Sequence, residues 1–297
     1  MIEKLEFILA LAREKHFGRA AEACGVTQPT LSAGIKQLEN QMRVLLVNRG
    51  SRFQGFTPEG QRVLEWARRI VGDSRTMREE INSLQHGLSG RLRIAAIPTA
   101  LAMVAAVTTP YREKHPNVQF TIYSRTSIEI LDLLENLEID AGITYLENEP
   151  LGRVSNVPLY REHYRLLTAV DAPLGNRETV TWAEVAQVPL CLLTPDMQNR
   201  RIIDRLLRNA GSESRPTLES DSMILLYSHV RTGRWASVMP AKIADTLGLT
   251  DAIRAIPITH PKAVQTIGLV VPEREPMKPI TAALVTEAKR VVPSLSG

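Results

Sequence analysis

The stretch that decides the fold of the N-terminal part is residues 16–42, HFGRAAEACGVTQPTLSAGIKQLENQM. Its pattern predicts two helices joined by a tight turn. Gly25 is placed to end the first helix, because glycine adopts a left-handed backbone without a steric penalty. Thr27 is placed to cap the second helix through its hydroxyl. Pro29 falls in the first turn, where a missing N–H costs little.

The second predicted helix has one apolar stripe, formed by Leu31, Ile35, Leu38 and Met42. Its other face is slim and polar, which favours entry into the DNA major groove. A glutamine can pair with adenine, hydroxyl groups can reach bases or phosphates, and a helix N-terminus attracts a phosphate. An ordinary helical hairpin would share the generic pattern. The residues predicted to contact DNA here are Thr27, Gln28, Pro29, Thr30, Ser32 and Lys36.

The specific string resembles the N-terminal domain of LysR-type transcriptional regulators. The resemblance is carried by Ala20-Ala21, by Thr27-Gln28-Pro29-Thr30-Leu31-Ser32, and by Ile35 with Leu38-Glu39. It implies a winged helix-turn-helix. The chain departs from the family pattern at Ala33, where the family usually has Arg, and at Met42 and Leu46. Alanine at position 33 removes an expected DNA contact, so we expect Lys36 and Arg52 to supply DNA contacts in its place.

Two short runs on either side of Gly50 and Ser51 predict a small β-hairpin, the wing. Arg49 and Arg52 are well placed to contact phosphates or the minor groove beside the recognition helix. A pair of solvated surface arginines is the alternative. The resemblance continues through Arg49 and through Thr57-Pro58-Glu59-Gly60, which opens the next helix.

Length and composition allow a multidomain DNA-binding protein. The chain has 297 residues, enough for two or three domains, and 44% of them are hydrophobic. The net charge is +4 and the pI about 9.2. Up to residue 58, eight basic residues face five acidic ones. This modest excess permits nucleic-acid binding and favours a dimer for tight binding.

Cysteine usage and hydropathy indicate a cytoplasmic protein. Cys24 and Cys191 are the two cysteines, which argues against a disulfide scaffold and for a reducing compartment. Charged residues begin at Glu3 and Lys4, so we expect no signal peptide. The longest uncharged run, residues 94–111, contains two prolines and predicts a strand, a turn and a helix rather than a membrane span. With the family resemblance, these features predict the cytoplasm of a bacterium.

From residue 58 to about residue 88 the sequence predicts one long helix. Its apolar positions follow a heptad seam that is interrupted at Ser74. A linker helix that pairs two subunits explains this length better than a helix packed on its own domain, and palindromic DNA requires such a dimer. The predicted seam residues are Val63, Ala67, Ile70, Ser74, Met77, Ile81, Leu84 and Leu88.

After a hinge at residues 87–90, strands alternate with helices, which predicts a mostly parallel sheet with helices on both faces. Two such lobes joined by crossing strands resemble the periplasmic-binding-protein-like effector domain of the LysR family. The predicted fold class is therefore α/β with an all-α winged N-terminal domain. Its predicted domains are 1–58 (winged helix-turn-helix), 59–88 (linker and dimerisation helix) and 89–297 (effector-binding). Within the last, lobe I covers about 89–162 and 265–297, and lobe II about 163–264.

Ligands of open α/β sheets bind at the carboxyl ends of strands, near helix N-termini, and these termini suit a small anion such as a carboxylate. By family analogy, Thr99, Ser127 and Met197-Gln198-Asn199 face the cleft between the lobes. Each alone could equally be a plain helix cap. The residues predicted to bind the effector are Thr99, Ala100, Thr126, Ser127, Thr144, Thr194, Met197, Gln198 and Asn199.

The sequence carries none of the motifs of metallopeptidases, α/β-hydrolases, P-loop proteins or Cys-x-x-Cys oxidoreductases. Its six histidines are scattered, so we expect no catalytic site, no metal and no cofactor. The expected partners are promoter DNA, a small effector, further copies in a homodimer or homotetramer, and RNA polymerase, with no membrane. Two alternatives stay open: a small-molecule binding protein or enzyme whose N-terminal helices contact other subunits, and a redox-sensing regulator that uses Cys191.

Overall fold

The computed structural model describes residues 1–49, 53–212 and 216–295. The chain forms two compact units. The N-terminal unit consists of Met1–Gly87 with Glu135–Glu138 and Arg274–Pro279, and the C-terminal unit of the rest of the chain. No helix in the described ranges has the length and apolar character needed to cross a membrane. The domain boundaries after residues 58 and 88 stay predictions.

The N-terminal unit is a winged helix-turn-helix followed by a long helix, as the sequence predicts. Gly25 has φ +67°, the left-handed conformation that ends the turn. The Thr27 hydroxyl accepts a hydrogen bond from the Thr30 backbone N–H at 3.4 Å. The elements are α1 (Ile2–Glu14), α2 (Phe17–Ala23), α3 (Gln28–Met42), β1 (Val47–Arg49), β2 (Phe53–Phe56) and α4 (Pro58–His86).

The core of this unit lies between α1, α3 and the start of α4. Leu31, Ile35 and Leu38 of the predicted stripe are fully buried. Met42 is 38% exposed, so its assignment to the stripe is wrong. The helix ends at Met42, and Arg43 already has a left-handed backbone, so the last residue of the helix lies beyond the packed surface.

The beginning of α4 packs tightly against the segment before β1. The Thr57 hydroxyl accepts from Gly60 N–H at 2.9 Å and donates to the Leu45 carbonyl at 2.7 Å. A Cβ at Gly60 would lie 2.0 Å from the Leu46 carbonyl oxygen. Glycine at position 60 therefore allows this close approach.

The C-terminal unit combines a seven-stranded sheet with a separate two-stranded sheet and surrounding helices. A short 3-10 turn, Pro98–Ala100, precedes its first helix. Its strands are β3 (Gly90–Ala96), β4 (Val118–Ser124), β5 (Ala141–Tyr145), β6 (Val154–Ala169), β7 (Cys191–Leu193), β8 (Leu218–Ser220), β9 (Ser237–Pro240), β10 (Ile253–Pro257) and β11 (Val264–Pro272). Its helices are α5 (Leu101–Lys114), α6 (Ser127–Glu135), α7 (Trp182–Val185), α8 (Gln198–Asn209), α9 (Met223–Val230), α10 (Ala241–Thr246) and α11 (Pro279–Leu295).

The large sheet is mixed, so the prediction of a mostly parallel sheet is wrong. Its strand order is β10-β6-β11-β5-β3-β4, and β9 also pairs with β6. β3 runs parallel to β4 and β5, whereas β11 and β6 pair antiparallel with their neighbours. The antiparallel pairs come from these two long strands, because β11 runs against β5 and β6, and β6 runs on against β9 and β10.

The long strand β6 belongs to both halves of the unit. Residues 154–163 pair with β11, and residues 164–169 pair with β9 and β10. The late strand β11 also pairs with β5, so it returns to the first half, as the sequence predicts. A side chain near residue 163 therefore lies where one half passes into the other.

Candidate functional site

The outward face of α3 is polar and slim. Gln28, Pro29, Thr30 and Lys36 are exposed, and Ser32 is half-buried. Ala33 is exposed between them and adds no bulk. Because the opposite face fills the core, the N-terminal half of this helix presents these residues to a partner. A thin helix face of this kind fits the width of the major groove.

Two of the predicted contact residues already have a structural role. The Thr27 and Thr30 hydroxyl groups lie 2.8 Å apart, and Thr27 caps the helix. Gln28 and Lys36 have no such role among the contacts of the described residues. These two side chains are therefore available to contact a base or a phosphate of a DNA partner.

A buried carboxylate connects α3 to the wing. Glu39 is 5% exposed, and its Oε1 accepts from the backbone N–H groups of Leu46 at 3.0 Å and Val47 at 3.3 Å. It thereby fixes the start of β1, which pairs antiparallel with β2. Arg49 ends β1, while Arg52 lies outside the described residues. Sequence reasoning quoted Glu39 as part of a motif and missed this role.

Sequence reasoning also missed two residues near the recognition helix. Gln37 is exposed beside Lys36, and its position on the helix could have been read from the helical spacing. His16 Nδ1 accepts from the backbone N–H groups of Gly18 and Arg19, so it caps α2. A histidine is not a usual cap, and no signal in the sequence points to this role.

The exposed apolar stripe of α4 differs from the predicted seam. Ala67 is fully buried in the core of the N-terminal unit and is not available to a partner, and Val63 is half-buried against the same core. Trp66 is 56% exposed and takes their place. The exposed apolar residues, which we call the α4 stripe, are Trp66, Ile70, Met77, Ile81 and Leu84.

In the C-terminal unit, predicted site residues from both halves converge on Tyr145, at the end of β5. Thr99 Oγ1 lies 3.5 Å from the Tyr145 hydroxyl, and Asn199 Nδ2 donates to it at 3.1 Å. The Tyr145 hydroxyl in turn donates to Glu162 Oε1 at 2.6 Å. All four side chains are buried. Sequence reasoning found Thr99 and Asn199 and missed Tyr145 and Glu162, which join them.

Burial dominates the acid–base properties of this cluster. It raises the pKa of Glu162 to about 8, while the hydrogen bond from Tyr145 and the nearby Tyr164 hydroxyl oppose that shift. Burial and the neighbouring Glu162 also raise the pKa of Tyr145. Tyr160 and Tyr164 lie two residues on either side of Glu162, on the same face of β6, and burial raises the pKa of each as well.

A second set of contacts joins the two halves around this cluster. Gln198 Nε2 donates to the Glu147 carbonyl at 3.0 Å. Arg201 forms an ion pair with Glu149 at 2.6 Å, and the Ser127 hydroxyl donates to the same carboxylate at 3.3 Å. The predicted residues Ser127 and Gln198 therefore lie on the contacts that hold the halves together.

The remaining predicted effector residues do not join this cluster. Thr126 and Glu129 form a local cap at the start of α6, and Thr194 N–H bonds the Ser220 carbonyl beside β8. Met197 packs in a hydrophobic cluster of the second half. Ala100 is buried and has no polar side-chain atom, and Thr144 points to the face of β5 opposite Tyr145, because side chains alternate along a strand.

The two cysteines lie in apolar surroundings. Cys191 is fully buried, and its thiol donates to the Leu226 carbonyl at 3.7 Å. Burial raises the pKa of this thiol to about 11. Burial also raises the pKa of Cys24, which packs beside the N-terminal core. Both groups are therefore held as thiols rather than reactive thiolates at neutral pH.

Comparison with known proteins covers almost the whole chain. The family of bacterial regulatory helix-turn-helix proteins of the lysR type matches residues 2–61, and the LysR substrate binding domain matches residues 85–293. The DNA-binding transcriptional dual regulator OxyR of Escherichia coli is 29% identical over 93% of this chain and 91% of its own. A probable nitrogen assimilation transcriptional activator of Synechococcus elongatus is 26% identical over 92% of this chain and 89% of its own.

Solved structures have the same architecture. A full-length OxyR variant from Pseudomonas aeruginosa superimposes with a TM-score of 0.76 at 25% identity and covers 97% of each chain. CbnR in complex with its target DNA gives 0.62 at 20% identity over 98% of this chain and 99% of its own, which supports the fold. The helix-turn-helix, the two-part C-terminal unit and both family matches lead to one conclusion: the chain belongs to the LysR family of DNA-binding transcriptional regulators with a small-molecule effector domain.

Proposed function

We propose that the protein acts in the bacterial cytoplasm as a homodimer, or a pair of dimers, that holds promoter DNA with two copies of α3. A small effector binds at the cluster around Tyr145, between the two halves of the C-terminal unit. Its binding favours one arrangement of these halves and thereby changes DNA bending and contact with RNA polymerase. In this scheme the protein performs no enzymatic step. The observation that supports it most strongly is the slim exposed face of α3 in a chain of this family.

The proposed DNA contacts are ranked by whether each side chain already has a structural role in the N-terminal unit. Gln28 and Lys36 carry direct contact, Gln28 with a base and Lys36 with a phosphate. Thr27, Pro29, Thr30 and Ser32 shape the end of the helix that approaches DNA. Arg49 and Arg52 are proposed to hold the phosphate backbone or the minor groove beside the recognition helix, as their place in the wing sequence predicts.

The decisive experiment is a footprint on the DNA upstream of the gene, with Gln28→Ala as the variant. We expect wild-type protein to protect a region with two-fold symmetry. The variant should lose about 1–3 kcal/mol of binding free energy and accept substitutions at one base pair of each half-site. Gln61→Ala, at an exposed position of α4, is the matched control and should bind like wild type. Unchanged base preference in Gln28→Ala would rule out α3 as the reading helix.

The proposed dimer contact is the α4 stripe. Five exposed apolar side chains at heptad-like spacing suit the seam between two parallel or antiparallel helices. Each subunit alone would leave this stripe in water, where its apolar area is unfavourable. Two DNA half-sites also require two recognition helices.

Ile81→Glu is expected to separate the subunits, because a charge in an apolar seam lacks a partner. Light scattering should then report the mass of one chain, 33.0 kDa, instead of a multiple of it. Promoter affinity should fall by at least about 100-fold with the loss of the second half-site. Ile81→Leu keeps the apolar area and should remain associated. An Ile81→Glu protein that keeps the wild-type mass would place the contact elsewhere.

We infer that thiol oxidation is not the signal, although several relatives are named hydrogen peroxide-inducible genes activators. Peroxide reacts with an accessible thiolate, and a second thiol then forms a disulfide. Cys191 is buried and protonated, and the other cysteine of the sequence, Cys24, lies in the N-terminal unit. This argument supports a reversibly bound effector instead.

A further inference from the structure

The cluster around Glu162 has unused hydrogen-bonding capacity. Glu162 is 1% exposed, and although its Oε1 accepts from Tyr145, its Oε2 has no hydrogen-bond partner among the described residues. The buried Tyr160 hydroxyl also lacks a partner within the described chain, and the Tyr164 hydroxyl, although near enough to Glu162 to lower the pKa of its carboxyl group, has no partner there with hydrogen-bond geometry. A buried polar atom without a partner is unfavourable, so these three atoms together favour a bound group that supplies the missing hydrogen bonds.

The cluster contains an acidic group, Glu162, but no basic group that pairs with it among the described residues. Among the described residues, Arg200 is the basic side chain that is buried, and it already bonds Asp204, Glu219 and the Leu193 carbonyl. The other titratable groups that face Glu162 are Tyr145 from β5 and Tyr160 and Tyr164 from β6. Arg205 of α8 acts on Tyr164 from a distance and bonds Asn148 at 2.7 Å. No cation is therefore committed to Glu162 in this part of the chain.

This inference rests on the proposed function, in which the effector binds at the cluster around Tyr145. We propose that the effector carries a protonated amine or a similar cationic N–H donor, which binds Glu162 Oε2 among the tyrosine hydroxyl groups. A carboxylate effector, which the sequence predicts, supplies only acceptor atoms and repels the ionised form of Glu162, so it could meet this side chain only in its protonated form. A cationic donor supplies both the hydrogen bond and the counter-charge that the cluster lacks.

Location makes this contact suitable for regulation. Glu162 lies on β6 beside the point where the strand passes from β11 to β9 and β10. Its partner Tyr145 belongs to the first half, and Asn199, which bonds Tyr145, belongs to the second. A donor bound at Oε2 therefore touches the residues that join the two halves. Its binding energy can favour one arrangement of the halves over another.

The proposal predicts a specific pH dependence. Because burial raises the pKa of Glu162 to about 8, the carboxyl group is mainly protonated at pH 6. A cation must then displace one proton on binding. Its affinity should rise by about tenfold for each pH unit between pH 6 and pH 7.5 and level off above pH 8. A carboxylate probe has no reason to follow this curve.

The experiment uses the full-length protein and three matched probes, n-propylammonium, butyrate and butan-1-ol, in calorimetric titrations at pH 6, 7 and 8. We expect n-propylammonium to bind with the pH dependence above, and Glu162→Gln to lose at least about tenfold in affinity together with that dependence. Glu178→Gln, at an exposed position of the same unit, is the control and should match wild type. The wild-type pH series needs no variant, so a misfolded Glu162→Gln protein leaves the test intact.

Two results would overturn the ligand class. They are binding of butyrate in preference to n-propylammonium, and n-propylammonium binding that ignores both pH and Glu162→Gln. Butyrate binding that shifts the promoter footprint and is abolished by Ser127→Trp would reject the cationic effector and retain the cleft. Failure of all three probes would also reject the class. The proposed function fails separately, if wild-type protein gives no footprint.

Discussion

Ala33→Glu is expected to abolish specific binding to promoter DNA, with an affinity loss of at least about 100-fold. Ala33 is exposed in the middle of the outward face of α3, between Pro29 and Lys36. A carboxylate there would lie against the phosphates and base edges that this face approaches in the proposed complex. Alanine and glutamate are both good helix formers, so the fold should hold. Fluorescence anisotropy with labelled promoter DNA at fixed salt measures the loss.

The opposite change at the same position makes the test two-sided. Ala33→Arg restores the residue usual in the family and should raise affinity by about tenfold, with about one more counterion released in a salt titration. Ala105→Glu introduces the same charge at an exposed position of α5 and should leave DNA binding unchanged. If Ala33→Glu binds as tightly as Ala105→Glu, the outward face of α3 does not contact DNA.

Glu162→Gln is expected to remove a large pH dependence from the folding stability of the protein. The pKa of Glu162 rises from an ordinary 4.5 to about 8 on burial. The folded state therefore holds a proton that the unfolded chain releases. This contribution is fully present below pH 4.5 and is lost as the pH rises through about 8. Glutamine has no proton to lose, so at pH 8 the variant should be the more stable by about 4 kcal/mol.

Urea unfolding of wild type and variant at pH 5, 6.5 and 8 tests this expectation. The informative quantity is the difference between the two proteins at each pH, because other titrating groups are common to both. We expect the difference to move in favour of the variant as the pH rises. Glu178→Gln should show no such trend. A constant difference for Glu162→Gln would mean that Glu162 is ionised in the folded protein over the whole range.

Local signals explain why the N-terminal unit could be predicted from sequence. Thr27, Pro29 and Gly25 act on backbone groups a few residues away, so their roles follow from spacing alone. The prediction that Met42 is buried was wrong because burial depends on where the neighbouring helices end. The predicted seam of α4 was partly wrong for the same reason. Ala67 and Val63 face the core of their own unit, and this depends on contacts with residues distant in the sequence.

The long strand β6 could not be predicted in the same way. Its middle, Arg161-Glu162-His163, resembles an exposed polar loop, and Pro158 argues against a strand interior. Only the pairing with β11, about 100 residues later, makes this segment a strand. Glu162 is buried for the same reason, and its partner Tyr145 comes from another strand. Thr99 and Asn199 were accessible to sequence reasoning because both follow the general rule for strand ends.

Glu39 constrains the geometry of the N-terminal unit. One carboxylate oxygen accepts hydrogen bonds from the backbone N–H groups of Leu46 and Val47, where the chain enters the wing, and so ties the wing to the recognition helix. In the proposed complex, α3 and the wing then bind DNA as one rigid unit. The bases contacted by α3 and the DNA contacted by the wing must therefore lie at one fixed spacing along the double helix. Promoters regulated by this protein would thus be selected for the spacing between these two DNA segments as well as for their base sequence.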